Sequence, residues 1–230
     1  ETVYGLGGNA YAKGAINRIY KIKSRPKINP LIIHYYNLMN ARKDIITNKY
    51  FEKLYKKFCP GPITFILKRR PGSKIHPIAC AKLKTVAIRF PKNKIIRSIL
   101  KKTNFPLAMP SANKSTSISP VSSIDVFEEF NKKLKIIIDG GKSLIGIEST
   151  VIDLTARPKI LRPGIIDKKK IEKVLKMKIQ NNKKNRKVLS PGMMKKHYSP
   201  GIPVLINQKK YDGISAFIYL GNKYKNKKNF

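Results

Sequence analysis

Apolar positions along the chain switch between two spacings, and the switches mark its elements. Ile16, Ile19 and Tyr20 recur at helical spacing, so residues 13–23 form a predicted helix that Pro26 stops. LIIHYY at 31–36 is a nearly unbroken apolar run and a predicted buried strand. Ile45, Ile46, Tyr50, Leu54 and Phe58 fall three or four apart, which predicts a second helix over 43–58, closed by Pro60-Gly61-Pro62. ITFIL (63–67) and TVAIRF (85–90) are predicted strands separated by a basic loop. Helices are predicted at 94–102 and at 122–134, the second opened by Ser122 and Ser123 as caps. IIID (136–139), STVIDL (149–154) and KILR (159–162) predict three more strands, and 168–178 a last helix.

Helices and strands interleave, yet several strands follow one another directly. The fold class is therefore α/β, with an open, twisted, mixed sheet carrying packed helices. From 179 to 203 the chain turns polar, basic and Pro/Gly-punctuated (QNNKKNRK, then SPGMMKKHYSPGIP), the composition of a linker. VLI (204–206) and SAFIYL (215–220) then look like the opening strands of a second domain. The expected organisation is a domain over 1–178, a linker over 179–203, and the start of a further domain over 204–230.

Composition adds a core and a charge. Of 230 residues 41% are hydrophobic, enough for a substantial core, while the net charge is +38. Small domains need a magnitude of about 2–8 for solubility, so this is well beyond that need. Two readings stand: a phosphate-bearing partner, or the Lys-, Ile- and Asn-rich codon usage of an AT-rich genome. No stretch approaches the roughly 20 apolar residues of a membrane span, and no signal-peptide pattern occurs. With two cysteines, Cys59 and Cys80, lacking metal-ligand spacing, a reduced cytoplasmic location is expected. The chain opens at Glu1 within a polar–apolar pattern, as if its natural start lay further upstream.

Several familiar motifs fail. GGKS at 140–143 lacks the upstream Gly of a phosphate-binding loop, and GLGGN at 5–9 lacks dinucleotide-binding spacing and suits a tight turn. No G-x-S-x-G occurs, and the three histidines have no metal-ligand neighbours. What remains is an ordered series: ETVYGL at the start, K-x-R-P-x-x-N-P-L over 23–31, TVAIRFP at 85–91, PSANKSTSISP at 110–120, GIESTVIDL at 146–154 and RPG at 162–164. Each alone suits a turn, a strand hydroxyl or a solvated charge.

In this order and spacing the series resembles the YrdC-like family of threonylcarbamoyl-AMP synthases, over residues 1 to about 178. The linker at 190–200 resembles that of two-domain members, whose second domain is small and Rossmann-like. The resemblance implies a nucleotidyltransferase that forms L-threonylcarbamoyladenylate and pyrophosphate from L-threonine, bicarbonate (or CO2) and ATP, for threonylcarbamoyl-adenosine modification of tRNA. It implies Mg2+ accompanying ATP, and a downstream tRNA threonylcarbamoyl transferase as partner; RNA, tRNA or a double-stranded segment, is a further partner that the charge would suit.

Residue by residue, the resemblance places Lys23, Arg25, Ser111 and Asn113 at the phosphate and carbamate site. Arg25 would grip phosphate through two N–H groups and Asn113 would donate to it. Arg25, Asn29, Thr85, Asn113, Ser119, Arg162 and Tyr198 match nucleotide contacts, with His197 and Tyr198 as a lid. Thr2, His34, Arg89, Ser111 and Ser149 match threonine contacts. Arg89 lies inside an apolar strand, where an unpaired cation is costly, which suits a fork for the substrate carboxylate. Three anions must meet in such a reaction, so a cation-rich pocket is the physical requirement. No residue is assigned to a metal; Glu148, Asp139 and Asp153 are the nearest acids. Two departures carry consequences. Thr2 stands at the start of the chain, where loose order is expected, and Thr116 replaces a usual Gly in PSANKSTSISP, which would alter the turn. A non-catalytic tRNA- or rRNA-binding module of the same fold is the alternative, which the lack of an aromatic-interleaved RNA motif disfavours. A carbamoyl-transfer domain is disfavoured by the lack of zinc-finger Cys pairs.

Overall fold

Alternating strands build one mixed sheet with two different faces. A computed structural model of the chain describes residues 1–179 and Leu205. The chain divides into two compact units, Glu1–Ser199 and Pro200–Phe230, and all described helices and strands belong to the first. In chain order these are β1 (Gly8–Asn9), α1 (Lys13–Ile22), β2 (Ile32–His34), α2 (Leu38–Ala41), β3 (Ile45–Ile46), α3 (Lys49–Phe58), β4 (Ile63–Arg69) and β5 (Thr85–Arg89). There follow α4 (Lys94–Lys102), β6 (Leu107–Ala108), α5 (Ser123–Phe130), β7 (Thr150–Asp153), β8 (Lys159–Arg162) and α6 (Lys168–Leu175). The strands run β1-β6-β2-β5-β4-β7-β8, with β3 added to the far end of β4. The β2–β5 and β4–β7 pairs are parallel and the rest antiparallel, the open mixed sheet that the pattern predicts.

Because side chains alternate across a strand, each central strand serves two surfaces. Ile33, Phe65, Leu67, Val86, Ile88 and Ile152 enter the main core, together with Ile16, Ile19 and Tyr20 of α1, Phe51 and Leu54 of α3, and Ile171 and Leu175 of α6. Phe51 meets Phe65 edge-on at 5.0 Å between centroids, a favoured aromatic geometry. On the other face a smaller cluster forms from Ile32, Ile66, Ala87, Val151 and Leu161. His34, Arg89 and Thr64 stand on that same face, in register with one another.

Two predicted elements are corrected. Residues 43–58 are not one helix: Ile45–Ile46 pairs antiparallel with Lys68 and Arg69, burying Ile45 and exposing Ile46. The side chain of Asn48 accepts from the N–H groups of Tyr50 and Phe51, which starts α3 only at Lys49. A cap residue inside a run of helical spacing breaks it, and two β-branched residues suit a strand. IIID forms no strand either. Ile136 and Ile138 are exposed, and the segment is tied down by the Asp139 carboxylate, which accepts from Tyr4 Oη (3.1 Å) and the Gly141 N–H (3.0 Å). Spacing alone cannot report that no sheet edge is in reach.

Behind the sheet, Asp44 is buried and draws four donors from distant segments: Tyr11 Oη (2.7 Å), Tyr35 Oη (2.8 Å), Ser73 Oγ (2.7 Å) and the Lys74 N–H (3.1 Å). Burial, with this carboxylate beside it, pushes the Tyr35 phenol well above its usual value. Asp44→Ala orphans these donors and should lower unfolding free energy by at least about 2 kcal/mol, read from urea midpoints. At the other edge a Cβ on Gly164 would lie 2.5 Å from the Thr150 nitrogen and 2.8 Å from the Glu148 carbonyl oxygen. Gly164→Ala must therefore push the chain after β8 away from β7, and the expected loss is about 1–3 kcal/mol, seen as a lowered melting temperature.

Candidate active site

The register aligns a row of residues across the sheet. His34 lies opposite Arg89, Arg89 opposite Thr64, Thr64 opposite Val151, and Val151 opposite Arg162. Buried charge on a strand interior needs partners, and here loops supply them.

Arg89 anchors one end. Its Nε donates to the Gly61 carbonyl (3.3 Å), Nη1 to Thr2 Oγ1 (2.8 Å), and Nη2 to the Glu1 carboxylate in a short contact. Of five guanidinium N–H groups, one on each Nη stays free of these bonds. The Glu1 carboxylate also accepts from the N–H groups of Lys92 and Asn93, both at 3.2 Å. Burial, the largest single influence, would raise its pKa, but the charges of Arg89 and the N-terminal ammonium and the hydrogen bonds from Lys92 and Arg89 together hold it below the usual value. Thr2 is buried rather than loose, contrary to expectation. Tertiary bonds fasten the chain start, from the Ile145 N–H to the Glu1 carbonyl and from the Gly146 N–H to the Thr2 carbonyl, both 3.0 Å. His34 sits beside Arg89 with Nδ1 3.2 Å from the Ile32 carbonyl oxygen. Burial, then the Arg89 charge, pushes its pKa down to about 3, so the imidazole is neutral at pH 7.

A second knot joins β7 to β8. Arg162 donates from Nε (3.1 Å) and Nη2 (2.9 Å) to the Ser149 carbonyl, and from Nη2 to Ser149 Oγ (3.2 Å). Ser149 Oγ lies 2.6 Å from Thr64 Oγ1. Glu148 Oε1 accepts from Ser119 Oγ (2.9 Å), and Oε2 lies 3.6 Å from Arg162 Nη1 without a hydrogen bond. Burial lowers the pKa of Arg162, with Glu148 opposing.

The third knot is the K-x-R segment. α1 ends at Lys23, and Ser24 takes the left-handed conformation (φ 49°), turning the chain into the Pro26 loop. Lys23 is 1% exposed, and its Nζ donates to the carbonyls of Ser111 (2.5 Å) and Asn113. Arg25 grips its own loop, from Nε to the Asn29 carbonyl (3.0 Å) and from Nη2 to Asn29 Oδ1 (2.6 Å) and the Pro30 carbonyl (2.8 Å). Asn29 is thus the residue that aims Arg25. Burial, then Arg25, lowers the Lys23 pKa to about 7; burial is also the main cause lowering Arg25 to about 10, with Arg162 adding to it. Glu148 opposes both shifts and is the counter-charge that these cations share.

Asn113 behaves differently from the donor expected. Its Nδ2 is committed to the carbonyls of Lys114 (2.7 Å) and Ser117 (2.8 Å), while Oδ1 is buried with no partner. The amide atom left without a partner is an acceptor. In the same loop Thr116 stands at φ 81°, where a Gly would sit unstrained; such a conformation costs on the order of 1–3 kcal/mol. Ser111 pairs with Gly5 in an isolated bridge, which brings this loop against the chain start.

Lys23, Arg25, Ser119 and Arg162 therefore gather around Glu148; Ser111 and Asn113 join through Lys23, Asn29 through Arg25 and Ser149 through Arg162, with Thr2 beside Arg89 and His34 next to it on the row. Thr85 does not join them. It lies on the same face of β5 but four residues from Arg89, about 13 Å along the strand, paired with Lys68. Tyr198 and His197 lie outside the described residues. Sequence reasoning missed Glu1 and Thr64 as site partners, and left Glu148 without a role there. The lone hydroxyl in ITFIL was the available signal for Thr64; nothing local signalled Glu1. A separate cleft of about 550 Å³ lies where α3 begins, lined by Asn48, Tyr50, Arg157 and Met177 among others. It lacks the buried charges that distinguish the polar sheet face. Among the described residues no three His, Cys, Asp or Glu side chains gather to hold a metal.

Comparison with known proteins follows this geometry. Residues 1–164 match the Sua5/YciO/YrdC family model, described as "Telomere recombination", and residues 166–229 match a model described as the threonylcarbamoyl-AMP synthase C-terminal domain. A threonylcarbamoyl-AMP synthase of Pyrococcus abyssi is 42% identical, aligned over 90% of this chain and 62% of its own length. One from Bacillus subtilis is 39% identical over 90% of this chain and 61% of its own. The crystal structure of P. abyssi Sua5 complexed with L-threonine superposes with a TM-score of 0.82 at 40% identity, over 86% of this chain and 60% of that one. The chain thus spans about three fifths of the length of these relatives. With its first 164 residues matched by one family model, the chain belongs to the Sua5/YciO/YrdC family.

Proposed function

We propose that the chain is the catalytic part of a threonylcarbamoyl-AMP synthase, joining L-threonine, bicarbonate and ATP into the adenylate with release of pyrophosphate. One observation carries this reading. Lys23, Arg25 and Arg162 converge with Glu148 as their shared counter-charge, while Arg89 and neutral His34 stand on the same sheet face. Such a site suits a ligand that is anionic at both ends. The relatives named above and the threonine complex of the P. abyssi protein favour the same substrates.

In this reading Arg89 takes the substrate carboxylate through its free N–H groups. Thr2, Ser149 and Ser111 surround the amino acid, and His34 adds a polar contact without adding charge. Arg25 and Arg162 face the triphosphate and offset its repulsion with the carbamate, so that the carbamate oxygen can approach the α-phosphorus in line. Asn29, Ser119, Thr85 and Tyr198 belong to the nucleotide side. Mg2+ would accompany ATP and offset its charge, with phosphate oxygens and water rather than side chains of this chain as its ligands. In the same reading residues 1–178 are the catalytic domain and 204–230 begin the second. The adenylate would pass to a tRNA threonylcarbamoyl transferase in the cytoplasm. Among the described residues no helix is long and apolar enough to cross a membrane.

Arg25→Ala removes a phosphate-facing cation while leaving the sheet intact. Threonine- and bicarbonate-dependent pyrophosphate release should fall by about 100-fold or more, with an unchanged circular dichroism spectrum. Release at the wild-type rate would refute the site.

A further inference from the structure

Lys23 differs from the other cations of the site in how its charge is held. Its Nζ has four tetrahedral positions. One is the bond to Cε, and two point to the carbonyl oxygens of Ser111 and Asn113. The fourth has no further partner among the described residues. A neutral amine satisfies both carbonyls with its two N–H groups and leaves its lone pair at the fourth position. A charged one presents a third N–H there. The two forms thus share one geometry and differ only at that fourth position.

Its placement fits a role between the two ligand ends. The Ser111 carbonyl that it touches belongs to the residue bridged to Gly5, three residues from Thr2 and the Arg89 fork. Its charged neighbours are Arg25 from the loop after α1, Glu129 from α5 and Glu148 ahead of β7, with Arg162 beyond Glu148. None of the carboxylates makes a hydrogen bond to it. On the reading proposed above, threonine arrives as an ammonium ion, whose nitrogen has no lone pair until a proton leaves. His34 is too weak a base to hold that proton.

We propose that Lys23 accepts the proton of the substrate ammonium, so that the freed amine can attack bicarbonate. The balance is R–NH3+ plus HCO3− plus the Lys23 amine giving R–NH–COO−, water and the Lys23 ammonium. A C–N bond forms, a C–O bond of bicarbonate breaks, and its hydroxyl leaves as water with the second amine proton. The new ammonium then stands beside the carbamate that it helped to make and neutralises it for attack on phosphorus. With a pKa of about 7, Lys23 is shared between its neutral and charged forms in the empty site, and it becomes the charged form when it takes the substrate's proton. Burial and Arg25, which lower its pKa to about 7, supply the empty-site state.

This inference rests on the synthase reading, and two measurements separate them. In the full chain labelled with 13C at lysine Cε, the signal missing from Lys23→Arg identifies Lys23. Its titration midpoint should lie at about 7; a midpoint of about 10, that of an ordinary lysine, overturns the proton role whatever the turnover. The second measurement uses Lys23→Arg itself, which keeps the charge but cannot release a proton. ATP affinity by calorimetry should stay within about threefold, while threonine-dependent pyrophosphate release falls by about 100-fold or more. Small primary amines should restore turnover to Lys23→Ala in proportion to their unprotonated fraction. Rescue that follows the protonated fraction, or wild-type turnover by Lys23→Arg, overturns the proton role alone. A wild-type chain that makes no adenylate overturns the synthase reading, and the titration midpoint still decides whether Lys23 is poised.

Discussion

Cations withdrawn from water without enough carboxylates to match them are the constraint on which this architecture turns. Lys23, Arg25, Arg89 and Arg162 face three acids, Glu1, Glu129 and Glu148. The deficit is met by backbone carbonyls: Ser111 and Asn113 for Lys23, Asn29 and Pro30 for Arg25, Gly61 for Arg89, Ser149 for Arg162. Carbonyl dipoles hold a cation in place without cancelling its charge. A buried cation kept this way remains a standing attraction for anions, whereas a full set of ion pairs would have extinguished it.

That arrangement is possible because the sheet assigns its two sides different work. Alternation along β2, β4 and β5 sends one set of residues into a core packed by α1, α3 and α6 and the other toward the polar row. The core can therefore be rigid where the site needs fixed positions. Loops then deliver the remaining groups onto that row: the chain start to Arg89, the K-x-R turn to the Ser111–Asn113 loop, and the segment before β7 to Arg162. Gly164 allows the last of these to close, since backbone occupies the space where a Cβ would sit.

Several local features are unfavourable without a ligand. Asn113 Oδ1 and Glu148 Oε2 are buried without hydrogen bonds, and Thr116 is held at positive φ. Native structures leave few such groups unsatisfied. Two of the four buried side-chain atoms without a hydrogen-bond partner among the described residues thus stand in loops beside the buried cations, where an occupant would satisfy them. Arg89 adds a related feature: Glu1 and Thr2 already engage it, so a carboxylate ligand joins an oriented guanidinium rather than a free one.

Periodicity alone dictated the helices at α1, α4, α5 and α6 and the strands at β2, β4, β5, β7 and β8, because each buries a stripe or a face whose spacing is local. It misread 43–58, where Ile45 and Ile46 fit helical spacing until Asn48 caps a later start, and IIID, where apolar residues had no edge to join. The family resemblance assigns Lys23, Arg25, Asn113 and Arg162 to the nucleotide end of one site. Yet it expects a donor at Asn113, whose Nδ2 the fold commits to two carbonyls, and it gives no part in the site to Glu1 or Thr64. Glu1 and Thr64 meet partners 88 and 85 positions away, Arg89 and Ser149, whereas Asn113 is turned by the carbonyls of Lys114 and Ser117 in its own loop. Side-chain type is written in the chain; the direction of a hydrogen bond and the charge state of a buried amine come from neighbours that only the folded backbone brings together.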